Sequence, residues 1–384
     1  MSGTSGDGVD ASIIQSDGET RYRVILNKYF QYDEYIYKNI HWLISLIKDS
    51  KDLRHFSKDV KKLERIITLF HAKVVKKIIK ESKTNINLIG FHGQTILHSL
   101  GRLGSDEKIS KQLGDGKLLA KLTKKNIVYN FRQKDLKNNG SGAPLAPIFH
   151  KLLVNQNNIY EPAIILNIGG IANMTAIGKP WGGLARIGMA SRDIGPGNCL
   201  IDHWMRKYHD KYDYDKDGLI ARSGKIIKPR LNKEIKIEKR REWNRRLRSI
   251  SSLDVKDYTT HLGLPNSVFT EGLSLRDGAA TLTEFTALTI SNWINTYCKE
   301  MDYCNSGKKI KVIVCGGGRK NKFLLKRISK KIKHKLFLID KYGIDGDFVE
   351  SQAFAYLAIR SYLKLPISFP STTGVSKPCT GGVI

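Results

Sequence analysis

Residues 163–173 read AIILNIGGIAN: a six-residue run from Ala163 to Ile168, apolar except for Asn167, then the pair Gly169–Gly170. A short apolar run bounded by glycine is the pattern of a strand buried on both faces of a sheet. Ligands of α/β proteins gather where such strands end, and glycine there lets the backbone come close. The arrangement recurs at KVIVC, Lys311 to Cys315, followed by Gly316, Gly317, Gly318 and a helix expected to begin near Asn321. It recurs again where Asn87 to Phe91 leads into HGQT at His92 to Thr95. Further strands are expected at Ile127 to Phe131 and Lys335 to Ile339. Glycine turns in both parts of one chain imply a cleft built from two halves, although each turn taken alone is equally a structural one. The boundary falls just before Ala163, giving domains 1–160 and 161–384, the last residues returning to the first.

Outward from these runs, Val9 to Ile14 and Arg21 to Leu26 predict a hairpin. Between Tyr35 and Ser82 the apolar residues Ile40, Leu43, Ile44, Ile47, and then Leu63, Ile66, Ile67, Phe70, Val74, Ile78, recur at helical spacing.

The 384 residues carry 65 Lys and Arg against 36 Asp and Glu, a net charge of +29. Clustered basic residues gain affinity for nucleic acid by releasing counterions. Here the lysines are spread along the whole chain among Ile and Asn, and no RNP, zinc-finger or helix-turn-helix spacing accompanies them, so a nucleic-acid partner is not expected. One stretch is denser: residues 224–248 hold eleven Lys and Arg, three Glu and one aromatic, Trp243. That reads as a solvated helix or loop, or as an arm for anionic partners. Five scattered cysteines with no CxxC pair argue against a disulfide scaffold or a zinc site. Together with the lack of a signal-like start or a long apolar run, they predict a cytoplasmic protein that does not span a membrane.

GTSGDG, Gly3 to Gly8, offers backbone N–H groups and the hydroxyls of Thr4 and Ser5 to phosphate oxygens, and Asp7 to a magnesium ion. It lacks the lysine of a P-loop, and a plain turn explains it as well. In DIGPGNCLIDHW, Asp193 precedes a GPGN turn and a helix starting near Asn198; it is a general base or a capping residue. His92 and Gln94 suit a polar substrate, or a satisfied strand end.

The ordered series GTSGDGVDASI, FHGQTILH, NFRQKDLKNNGSGAPLAPIFH, ILNIGGIANMTAI, DIGPGNCLIDHW, DYDKDGLIARSGK, LSLRDGAATLTEFTA, VIVCGGGRKN and GIDGDFVESQAFAYLAIR resembles the anhydro-N-acetylmuramic acid kinases. The resemblance implies an α/β, two-lobed actin, sugar kinase and Hsp70-like (ribonuclease H-like) fold with ATP in an interlobe cleft. It implies opening of 1,6-anhydro-N-acetylmuramic acid by water with phosphorylation of O6, in cell-wall recycling. ATP and Mg2+ are the implied cofactors, the anhydro-sugar the implied substrate, and a homodimer the expected assembly. Gly3, Thr4, Ser5, Gly6, Asp7, Gly8, Val9 and Asp10 become a first phosphate loop, with Asp7 the metal ligand. The turn Asn167 to Asn173, with Asn167, Gly169 and Gly170 in contact with ATP, becomes the second, and Gly316, Gly317 and Gly318 the nucleoside turn. Asp193 becomes the general base, and His92, Gln94, Arg132 and Glu350 line the sugar side.

Four departures accompany the resemblance. Relatives carry a strand reading like IGLMSGTS, whereas Met1 here stands at its internal Met, so either translation starts upstream or the first strand of the sheet is missing, and the second case implies exposed edges and a floppy loop. Gly6 replaces Met or Leu, Ile194 replaces a Thr expected to hydrogen-bond in a polar site, and the P-K-S-T-G-R-E block falls on KIEKRRE, Lys236 to Glu242. These departures raise one alternative, a kinase-like chain that binds nucleotide or a partner with impaired turnover.

Overall fold

The computed structural model describes residues 1–100, 108–159, 162–178, 188–247, 252–259, 269–305 and 310–384. In chain order the strands are β1 Gly8–Ser16, β2 Tyr22–Gln31, β3 Leu88–Phe91, β4 Gln94–Ser99, β5 Ile109–Leu113, β6 Asn126–Tyr129, β7 Ala163–Ile168, β8 Ile171–Ile177, β9 Met189–Pro196, β10 Lys311–Cys315 and β11 Leu336–Leu338. Two compact units result: Met1–Asn158 with Phe348–Ile384, and Ile159–Asp347. The division falls between Asn158 and Ile159, with the C-terminal residues in the first unit; residues 160 and 161 themselves lie outside the described residues. The physical reason for the long return to unit 1 is the helix Val349–Tyr362, which packs on β1 and β3. There Ser351 bonds Ser12 through their hydroxyls at 2.6 Å, and Tyr356 and Arg360 donate to the carbonyls of Glu19 and Gly18.

In unit 1 the expected hairpin forms and is longer than its sequence pattern. β1 and β2 pair antiparallel from Gly8–Gln31 to Ser16–Tyr22. Their turn closes because Asp17 Oδ1 accepts from the backbone N–H groups of Glu19, Thr20 and Arg21. The helix Ser57–Ser82 buries Val60, Leu63, Ile67, His71, Val74 and Ile78, one face at three- and four-residue spacing, and stops at Lys83 in the left-handed region. β4 and β5 form an antiparallel pair that the sequence reading placed partly in a turn, since Gln94 and Thr95 open β4.

β1 pairs with β2 alone and β3 with β6 alone among the described residues. β1 and β3 both line one cavity of about 1160 Å³, which Val74 and Ile78 from one helix and Phe354 and Ile359 from another also line. Met1 lies at it: its ammonium donates to Asp10 O at 2.8 Å while Asp10 N–H donates to Met1 O at 2.9 Å. Burial pushes that amino group down to about 6, against the pull of Asp10 and Glu350.

Unit 2 is built on a five-stranded sheet of order β11-β10-β7-β8-β9. β7, β10 and β11 run parallel, and β7, β8 and β9 form an antiparallel meander. β8 and β9 are elements the sequence reading did not draw, having placed residues 167–173 in a turn. Only Gly169 and Gly170 make that turn, and β8 starts at Ile171. Ile164, Leu166, Met174, Val312 and Val314 pack with Ile290 and Ile294 of the helix Leu275–Asn305 and with Leu324 and Ile328 of the helix Lys322–Ser329. The latter helix begins where expected, capped by Asn321 Oδ1 accepting from Leu324 N–H at 2.9 Å. Cys199, Cys298, Cys315 and Cys379 are free thiols, and the side chain of Cys304 lies outside the described residues. No helix among the described residues is long and apolar enough to cross a membrane.

Candidate active site

In unit 2 the candidate residues converge through strand register. Cys315 stands beside Asn167 in the parallel β10–β7 ladder, Asn167 opposite Asn173 in β7–β8, and Asn173 opposite Asp193 in β8–β9. Residues directly opposite one another share a face of the sheet. Four residues separated by up to 148 positions thus form one row across four strands, at the end where the glycine turns follow β7 and β10. The next residue of β9, Ile194, points the other way: it is fully buried in the apolar cluster with Ile164, Met174 and Ile290. It does not stand in a polar site, contrary to the expectation for a Thr at that position.

The turns pack on one another. Gly169 O accepts from Asn198 N–H at 2.8 Å, and Gly170 O accepts from the N–H groups of Gly197 and Cys199 at 2.9 and 3.1 Å. These bonds seat the GG turn on the start of the helix Cys199–Tyr208, which begins where the sequence predicted. Gly316 has φ +79°, and a Cβ there would stand 2.3 Å from Asn167 Oδ1, so only glycine lets the third turn lie against the second. A Cβ on Gly317 would meet nothing within 4 Å. Arg319, nearly buried, anchors this turn by donating to Asp340, Asp347 and Gly316 O. Its guanidinium holds the Asp340 carboxyl below the usual carboxylate range.

Asp193 Oδ2 accepts from Leu253 N–H at 2.7 Å and from Ser252 Oγ at 3.1 Å. Sequence reasoning missed both partners, because nothing local to SSLD announces them. It had set the altered family block on Lys236 to Glu242 instead. Those residues lie in the helix Lys228–Leu247, where Arg241 stands 3.6 Å from Glu234 and 3.8 Å from Glu238. The solvated helix expected there also has a buried side: Leu231, Glu234 and Glu238. Arg319 was missed as well.

In unit 1 the loop before β1 is tied down rather than floppy. Asp7 O accepts from Tyr32 N–H at 2.9 Å and Tyr29 OH at 3.0 Å, Ser5 O contacts the His41 ring nitrogen at 3.0 Å, and Gly6 N–H closes onto Gly3 O. Gly6 has φ +62° with Ile40 beside it, a conformation and space that disfavour Met or Leu there. The Asp7 carboxylate is exposed and accepts from Ser5 Oγ at 2.6 Å. The predicted sugar-side residues also come together here. Arg132 donates to His92 Nε2 at 3.1 Å, His92 Nδ1 meets Gly93 O at 2.9 Å, and buried Gln94 accepts from Ser2 Oγ at 2.5 Å. Burial, then the nearby Arg132 charge, pushes His92 well below the ordinary histidine value. Glu350 lies in the first turn of the helix Val349–Tyr362, where its charge acts on the Met1 ammonium.

The family model for anhydro-N-acetylmuramic acid kinase matches residues 1–384. The chain belongs to the anhydro-N-acetylmuramic acid kinase family. The family's protein from Pelagibacter ubique is 49% identical over 388 residues, covering 100% of this chain and 96% of that protein. The one from Agrobacterium fabrum is 36% identical over 392 residues, with the same coverage. Among solved structures, the activator of the 2-hydroxyisocaproyl-CoA dehydratase from Clostridium difficile with bound ADPNP is similar over 91% of this chain and 94% of its own, with a TM-score of 0.38 and 11% identity.

Proposed function

We propose that this member of the anhydro-N-acetylmuramic acid kinase family opens 1,6-anhydro-N-acetylmuramic acid with water and phosphorylates O6 at the expense of ATP. It is a carbohydrate kinase, and the row from Cys315 through Asn167 and Asn173 to Asp193 is the observation that best supports a working site. Asp193 takes a proton from the attacking water as the water oxygen bonds to the anomeric carbon and the C1–O6 bond breaks. The released O6 accepts the γ-phosphoryl group, and ADP leaves. In unit 2 the Asn167–Gly170 turn offers N–H groups to phosphates and the Gly316–Gly318 turn a flat approach for the nucleoside. In unit 1 the Gly3–Asp10 loop takes the role of a phosphate loop, and His92, Gln94, Arg132 and Glu350 serve the sugar.

No group of three or more His, Cys, Asp or Glu suited to a metal stands among the described residues. Mg2+ bound with a nucleotide needs only one or two carboxylates besides phosphates and water, and the exposed Asp7 carboxylate fits that demand. When bound, the ion supplies charge neutralisation at the transferring phosphoryl group. The test is an assay of the purified chain with ATP, Mg2+ and 1,6-anhydro-N-acetylmuramic acid. ADP and N-acetylmuramic acid 6-phosphate in equal amounts are expected, and a folded chain that yields no sugar phosphate refutes the reading.

A further inference from the structure

Ser252 and Leu253, which donate to Asp193, belong to a short segment with its own anchorage. Asp254 Oδ1 accepts from Lys256 N–H at 2.9 Å, Asp257 Oδ2 accepts from Asp254 N–H at 2.8 Å, and the helical turn Lys256–Thr259 follows. Tyr258 in that turn is 1% exposed, and its hydroxyl donates to Glu238 Oε1 at 3.1 Å. The same oxygen accepts from Arg245 at 2.5 Å. Leu253 and Tyr258 are buried with Leu231 of the basic helix and with Leu282 and Phe285 of the helix Leu275–Asn305. A carboxylate is rarely buried unless something requires it, since burial disfavours its charge. Glu238, 3% exposed in an otherwise strongly basic helix, is the fixed point to which the segment is tied.

We propose that residues 252–258 form a positioning strap: Ser252 and Leu253 set the plane of the Asp193 carboxylate through Oδ2, and the Tyr258–Glu238 hydrogen bond holds the strap in place. The inference rests on the reading of Asp193 as the base. Two donors on one carboxylate oxygen restrict rotation about the Cβ–Cγ bond, and a base must be held in the geometry of its attacking water. Ser252 and Tyr258 act through Asp193 and are positioning residues. The basic helix then takes part in catalysis from a distance, through an acid hidden in it.

The test uses the full chain and steady-state kinetics with ATP and 1,6-anhydro-N-acetylmuramic acid. Ser252→Ala is expected to lower kcat about tenfold while KM for both substrates stays within about twofold, the pattern of an interaction that serves the transition state. Ser252→Thr, which restores a hydroxyl, is expected to recover most of kcat. Tyr258→Phe removes only the anchoring hydroxyl and should lower kcat in the same direction; should that variant fold poorly, the Ser252 pair decides. Wild-type kcat in both Ser252→Ala and Tyr258→Phe, with Asp193→Asn inactive, overturns the strap and leaves the base assignment standing. Wild-type turnover in Asp193→Asn overturns the base assignment itself.

Discussion

Met1 and Asp10 exchange both of their main-chain hydrogen bonds, at 2.8 and 2.9 Å, the pattern of one hydrogen-bonded rung in an antiparallel ladder. Ser2 N–H meanwhile reaches Gly93 O, just past the end of β3, at 3.4 Å. The backbone at residues 1 and 2 is thus aligned with both β1 and β3 at the cavity that these strands share.

Joining an apolar segment of six residues, rich in Val and Ile, to the amino end of Met1 should extend that rung along the cavity. Burying it between two strand edges and two helices is expected to raise Tm by at least about 4 °C over a Gly-Ser segment of equal length. Thermal unfolding of the two extended chains checks this; equal Tm values would show that the cavity does not accept a strand.

Asp193→Asn keeps an oxygen able to accept from Leu253 N–H and Ser252 Oγ, so the fold should survive with an unchanged Tm. Turnover should drop by about a thousandfold or more, because an amide cannot take the proton from water. Product formation by the purified variant is the measurement.

Gly316→Ala forces a side chain into a left-handed backbone and against Asn167 Oδ1, which should cost about 2–4 kcal/mol and weaken ATP binding. Gly317→Ala meets nothing and should stay within about 0.5 kcal/mol of wild type. Urea titration of the pair decides, and equal stabilities would contradict the close approach of the two turns.

His71 and His98 are held down to about 3 by burial, and His92 also lies well below its ordinary value. Their folded pKa values are depressed, so above about 6.5 they do not affect stability. Below that, the unfolded chain takes up protons that the folded chain refuses, and stability falls as pH drops toward the folded values. His150, lowered to about 4 by burial, acts in the same direction, and each such ring contributes up to about 1.4 kcal/mol per pH unit. Denaturant unfolding of the chain at pH 7 and 5.5 should reveal the loss, and His71→Phe should make the slope shallower. A flat profile would mean that these rings are open to protonation.

The strands at Ala163–Ile168 and Lys311–Cys315, the hairpin at β1–β2 and the helices flanking them were legible because hydrophobic period and glycine position are local properties of the chain. The order of matching blocks likewise carried the family. Tertiary structure alone decided which turn rests on which. The contact of Gly316 with Asn167 is made over 149 positions, and that of Leu253 with Asp193 over 60, distances at which no local pattern speaks. The same holds for Glu238 and Ile194. Composition around Glu238 reads as solvent-exposed and position 194 reads as part of a polar motif, yet register and packing bury both, because the side of a helix or strand that meets the core is settled by what lies across from it.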